Sequence, residues 1–385
     1  MKIGLDRIDR PFRWMLAVAA VGLLLCILGL LLGAQATICG WVTMALFLLG
    51  LSLGAMTIMM IHGLTGGRWG DAALPPLRAM VATLPLALVL LLPVLVRPDF
   101  VFPWAADPAA LTETARHKLA YLNVPFFLVR FAVCVIVWFV LAWFLLGPTA
   151  TVPVKTAQQR RARSMGCAAG LVVHGFAVSV FSTDWMLSLE PNFYSTIYGM
   201  LEASAETIGA YAVAVLVLAA RRSIETMPGG AERVALSEDV ANMLFGLMLT
   251  WAYLAFMQWL IIWGGDLPVE IHWYIMRTRN GWQFVLWLLI ALQFVLPFAG
   301  FLSRDLKRSH AGIVWLAAIT LAGHLADVLW RVRPAFAGFG LSWPDLAALA
   351  GAGGLWTALF VFALREPERI AAWRERLARG RFANG

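Results

Sequence analysis

The chain has 385 residues, 61% of them hydrophobic and only 14% charged, with a formal net charge of +8 and a mean hydropathy of +0.78. A soluble domain of this size carries far more surface charge, and 18 Trp, 23 Phe and 33 Gly suit membrane helices and their interfaces. A soluble enzyme is therefore excluded, and so is a β-barrel, because the apolar runs are near ~20 residues long rather than alternating segments of about ten. The positive charge sits in alternate loops, which suits a membrane surface and gives no reason to expect nucleic acid.

Ten apolar runs follow one another along a single membrane domain, 1–385: 13–34, 38–61, 79–96, 123–146, 165–187, 195–220, 239–263, 282–302, 311–331 and 345–364. Each is long enough to cross ~30 Å of hydrocarbon as a helix rising ~1.5 Å per residue. The expected fold is an all-α polytopic membrane protein. The first run follows Lys2, Arg7, Arg10 and Arg13 and ends near "GAQA", in the manner of a signal peptide. Its apolar stretch, Trp14 to Leu32, exceeds the ~7–15 residues of such a signal, so it is read as a retained anchor. Of the 30 Lys and Arg residues, 22 fall in one alternate set of loops and tails, 7 in the other, and Arg130 inside a span. The positive-inside rule then places both termini in the cytoplasm.

Between spans three and four, residues 97–122 form the longest outward loop. Asp107 as N-cap, Pro108 at the first helical position, and Leu111, Ala115 and Leu119 on one face predict a short interfacial helix. Residues 365–385 read as a basic cytoplasmic tail on lipid headgroups. Cys26, Cys39, Cys134 and Cys167 make no CxxC pair, so no iron–sulfur or c-type haem ligands are visible, and no metal site is expected.

The polar residues inside the spans carry the functional question. Span five holds His174, and Asp184 lies near its outer end, with Glu190-Pro191 in the turn that follows. Span six holds Glu202 and Glu206, four apart and so on one face. Span nine holds His324 and Asp327, with Arg331 four beyond Asp327 as a local ion-pair partner. A charge at mid-bilayer costs ~2.5–3.5 kcal/mol on insertion scales, so these groups are expected to face inward, to pair or to stay neutral. Two carboxyls one turn apart in low dielectric do not both ionise easily. His174, Asp184, Glu190, Glu202, Glu206, His324 and Asp327 are thus the proton-path candidates, with His174, Glu202 and Glu206 expected to meet in the middle of the path, while Asp327–Arg331 reads better as a structural ion pair. Asp184 and Glu190 are expected to need no basic neighbours if they pass protons outward to water. Gln258 and Gln293 extend the network or serve as interhelical glue. Only His174 and His324 lie well inside spans, too few for the His pairs of a two-haem cytochrome b.

Three stretches taken together resemble a known family: "IHGLTGGRWG" at 61–70, "STDWMLSLEPNFYSTIYG" at 182–199 and "MQWLIIWGGDLPVEIHWYIMRTRNGW" at 257–282, joined by "DVLWRVRP" at 327–334. Together they resemble the ActF-type integral membrane subunit of alternative complex III, a bacterial quinol:electron-acceptor oxidoreductase, within the wider NrfD-like family of the polysulfide reductase membrane subunit. The resemblance implies two four-helix bundles, spans two to five and six to nine, with flanking outer spans, in the bacterial inner (cytoplasmic) membrane. It implies partners: a sister NrfD-like membrane subunit, an iron–sulfur subunit and haem c subunits, which would carry the haem c and iron–sulfur clusters. No cofactor belongs to this chain itself, although a share in binding quinol or quinone is left open and no residue is assigned to it. Where the family has Pro-Glu-Glu after span seven, this chain has Pro268-Val269-Glu270.

The leading expectation is a membrane subunit of a quinol-oxidising complex, without a redox centre, acting as support and proton route. The alternatives are a proton-coupled secondary transporter and a passive scaffold. A transporter would favour inverted repeats and Gly/Pro-broken spans at matching positions, which the sequence does not display.

Overall fold

Every long apolar run closes its backbone hydrogen bonds internally, as a chain in hydrocarbon must. The computed structural model describes residues 6–147, 156–221, 230–336 and 342–365, and these are helices joined by short turns, with no strand among them. Ten helices are long and apolar enough to cross a membrane: Phe12–Gly33, Gln35–Thr65, Arg68–Val96, Val124–Leu146, Ala157–Leu189, Tyr198–Ala220, Leu236–Gly265, Trp282–Leu302, His310–Ala335 and Trp343–Arg365. This is a multi-pass membrane protein. The observed spans run a few residues past the apolar runs at several ends, because polar caps such as the Thr156–Gln159 capping box extend a helix beyond its oily part. Spans one and two follow each other without a loop and fold back on each other at Gly33 (φ −173°, ψ 78°), so that both meet span ten, Gly22 against Gly351 and Gly40 against Asp345. Of the predicted tail 365–385, Arg365 ends the last span and residues 366–385 lie outside the described residues.

Alternate connections gather at opposite ends. At one, which we call the outer end, Trp104 donates to Ser188 (3.1 Å), Lys118 Nζ to the Pro191 and Phe193 carbonyls (2.6 and 3.2 Å), and Trp330 to the Arg277 carbonyl (3.0 Å). At the other, Arg68 meets Asp239 (3.1 Å), Arg308 meets Glu238 (2.7 Å) and His62 meets Asp71 (3.0 Å). The loop 97–122 is a series of short turns rather than one helix. Asp107 does cap, accepting from the Ala109 and Ala110 amides, but Leu111 turns extended (ψ 148°) and Thr112 has to start a new turn. Ala115 is nevertheless buried, and Leu111 and Leu119 are half-buried on the inner face.

Spans two to five pack as one four-helix group and spans six to nine as a second, with spans one and ten side by side against span two. The groups meet where span two crosses span six. Gly50 and Gly54 bring the span-two backbone against Glu206, so close that a side chain at Gly54 would strike the Glu206 carbonyl. This is the small-residue route to close helix packing in lipid. Gly209 of span six does the same for His324 of span nine. Span eight contains a π-helical stretch, Ile290–Val295. Its cause is local: Pro297 has no N–H for the Gln293 carbonyl four residues back, so the ladder slips there.

Candidate functional site

Helix register decides which polar groups meet. Arg331 of span nine pairs with Glu202 of span six, and His324 lies against Gly209. Both contacts fit one antiparallel register, and that register places Asp327 level with Glu206. The Arg331 guanidinium donates to Asp327 Oδ2 (2.8 Å) and to Glu202. All four side chains are buried. What the sequence offers as a local Asp327–Arg331 pair is therefore a triad across two helices, with a third acid, Glu206, one turn further in. Glu206 Oε2 has no hydrogen-bond partner. Two carboxyls bind one guanidinium, and a third lies one turn away without a bond to it.

One turn beyond Asp327 on the same helix, His324 is 1% exposed, with both ring nitrogens unpartnered and its ring against Phe47 (5.3 Å between centroids). In span eight, Gln293 is fully buried in the π-helical stretch against Gly323, and both its amide atoms lack partners. Gln258 instead turns to the outer end, accepting from Ser195 (3.0 Å) and donating to Tyr274 (3.4 Å). The two glutamines do not form one network.

Two expectations are corrected. Asp184 and Glu190 do not stand without basic neighbours. Arg130 grips Asp184 with two bonds (2.7 and 2.9 Å) and also donates to the Tyr121 carbonyl (2.9 Å), while its guanidinium lies 3.7 Å from the Tyr121 ring centre. Arg277, fully buried, binds Glu190 and the Trp273 and Arg331 carbonyls. The partners come from residues 54 and 87 positions away, so no local pattern announces them. The second correction concerns His174. It does not join Glu202 and Glu206. It lies at a similar depth, since Gly199 of span six packs on Ser179 of span five, but its side chain is buried in the first bundle with no hydrogen-bond partner for either nitrogen.

Sequence reasoning did not single out Arg277 or the pair Arg333–Asp345 (3.2 Å), which ties span ten to span nine at the outer end. The signal for Arg277 was present: a cation within the "WYIMR" stretch, beside aromatic residues able to shield it. Its guanidinium lies 3.7 Å from the Trp273 ring centre. Among the described residues, no three His, Cys, Asp or Glu side chains gather as a metal-binding group. Compared with protein-family models and with curated proteins, the chain matches none.

The arrangement divides the polar groups by chemistry. Each outer acid is paired with an arginine, and these pairs hold helix ends together. The middle cluster has more acids than cations and unpartnered imidazole and amide atoms beside it.

Proposed function

We propose that the chain is a membrane subunit of a bacterial quinol:electron-acceptor oxidoreductase, seated in the inner membrane with both termini cytoplasmic, and that its second bundle moves protons. The single observation that carries the proton-moving part is the state of Glu206. It is an acid deep in the bundle, next to the Glu202–Arg331–Asp327 triad, with one carboxylate oxygen that no group satisfies. The next guanidinium outward, Arg277, is already engaged by Glu190. Arg331 already holds Glu202 and Asp327, and no hydrogen bond joins it to Glu206, so in this reading the counter-charge of Glu206 is a proton. Groups that bind and release protons at a buried, partly satisfied site are how a helix bundle carries protons. The respiratory setting rests on the resemblance of the three motifs, and the partners it names are a sister membrane subunit, an iron–sulfur subunit and haem c subunits.

The outer pairs favour a supporting role in addition. Arg130–Asp184 and Arg277–Glu190 are structural clamps in this reading, not proton exits. Glu206→Gln in the native complex separates the roles. Quinol oxidation should continue while proton release per quinol falls. An unchanged proton yield sinks the proton role and leaves a scaffold. Purification without haem c or iron–sulfur partners, with solute uptake by the isolated chain, moves the protein to the transporter class.

A further inference from the structure

The lipid-facing surfaces of the spans are not alike. Span four shows the surroundings Val129, Val133, Ile136, Val140 and Trp143, and span one shows mainly leucine and valine. Span seven differs. Its exposed face runs through Gly246, Thr250, Tyr253, Phe256, Trp259 and Trp263.

Tyr253 decides the matter. Its side chain is 61% exposed, and it makes no hydrogen bond among the described residues. It lies 12 residues from Gly265 and 17 from Leu236, or about 18 and 25 Å of helix from the two ends of the span. A phenol is too short to reach either interface from there. Left against acyl chains, its hydroxyl has neither donor nor acceptor, an unfavourable state for a polar group taken from water into hydrocarbon. An arginine or lysine there would snorkel, and tyrosines normally lie at the headgroup level for the same reason.

We infer that this face of span seven is the seat of one transmembrane helix from another subunit, a helix with a hydrogen-bond acceptor at mid-membrane opposite Tyr253. The rest of the face suits such an occupant. Gly246 and Thr250, one turn apart, form a shallow place where a second backbone comes close, and the space over Gly246 is open. The Thr250 hydroxyl is already bonded to the Gly246 carbonyl (3.0 Å), so it needs nothing from lipid. Towards the outer end, Trp259 and Trp263 stack (5.7 Å, 13° between planes), with Phe256 beside Trp259 (5.8 Å). They form a rigid wall on the same face. From Gly246 to Trp263 the face is about 26 Å long, one helix crossing the hydrocarbon.

A second copy of this chain fits less well. Two copies related by a two-fold axis along the membrane normal would set Tyr253 against Tyr253, and one phenol proton would remain without an acceptor. The other exposed faces named above are apolar and offer no acceptor at that depth. The inference rests on the proposed assembly but not on proton transfer, so Glu206→Gln should leave this contact intact even if it abolishes proton release.

A photoreactive benzophenone amino acid replacing Tyr253, activated in native membranes, tests it. The expected product is a covalent adduct to a single different polypeptide, with the joined peptide mapping inside a membrane-spanning helix of that partner. The same probe at Val133 should give lipid adducts alone. Gly246→Leu should lower retention of that partner on detergent extraction by at least tenfold, and Tyr253→Phe by about two- to fivefold, with the chain itself still folded by its thermal transition. Lipid adducts alone at position 253, or a chain joined to its own copy, overturn the inference. So does a partner retained equally by Gly246→Leu and the parent chain.

Discussion

The two four-helix groups share a size and a depth in the membrane, but they spend their interiors differently. Spans two to five, with the loop after span three, hold a buried aromatic stack in which Phe102, Trp104, Phe127, Trp185, Phe181 and Trp138 touch in sequence, with ring centroids 5.1–5.5 Å apart. Arg130–Asp184 closes its outer end, and His174 is a lone imidazole in its core. Spans six to nine enclose Glu202, Glu206, Gln293, His324, Asp327 and Arg331, all buried. The contrast teaches where function resides. Close aromatic packing makes the first group a rigid wall, whereas the second accepts the cost of burying a cluster of charges.

Arg331→Leu tests this division hardest. It leaves Glu202 and Asp327 buried without a cation, and breaking a buried pair from one side costs about 3–5 kcal/mol. The expected result is a large drop in the thermal transition in mixed micelles. The triple change Arg331→Leu, Glu202→Gln and Asp327→Asn should recover most of that loss, because no unpaired charge remains. If Arg331→Leu unfolds no more easily than the parent chain, the triad is not a structural centre and the contrast between the groups fails.

How far the sequence reveals this depends on distance along the chain. The ten spans follow from run length alone, because hydrocarbon forces each run into a helix. Asp327 and Arg331, and likewise Glu202 and Glu206, follow from spacing by four. The contacts that unite them do not. Arg331 reaches Glu202 across 129 positions and Arg277 reaches Glu190 across 87. The first of these pairs lies where Gly209 lets span six close on span nine, and nothing in a glycine says which helix will lie over it. The isolation of His174 was hidden for the same reason. Depth can be counted along a helix, but the side of the bundle that a residue faces depends on its neighbours.

A gentler probe of the first group is His174→Leu. The imidazole is 2% exposed and makes no well-formed hydrogen bond, with the Leu53 backbone as its polar neighbour. Replacing an unsatisfied buried polar group with an apolar side chain of similar size should raise stability by about 1–3 kcal/mol. Thermal unfolding measures it. A loss of stability, or a loss of proton release, would show that His174 has a partner in the working protein and would return the first group to the proton route.

The smallest effect lies at the outer rims, where each group is capped by one half-buried tyrosine. Burial, reinforced by the Asp184 charge, pushes the Tyr121 phenol up to about 12, although the Arg130 charge opposes it. Burial also pushes the Tyr274 phenol up to about 12, opposed by its bond from Gln258 and by the Arg277 charge. Both pKa values are raised in the folded chain. Both tyrosines therefore favour folding fully below pH ~10, the ordinary phenol value, and lose that contribution as pH rises towards about 12. Ultraviolet titration should place these two among the late-ionising phenols, and Tyr121→Phe should remove one from that group. Asp184→Asn separates the rims. It withdraws the carboxylate that raises Tyr121 and leaves Arg130 to lower it, so one late phenol should move down while Tyr274 stays. If both move together, the outer ends are electrostatically one surface, and the two groups are less independent than their interiors suggest.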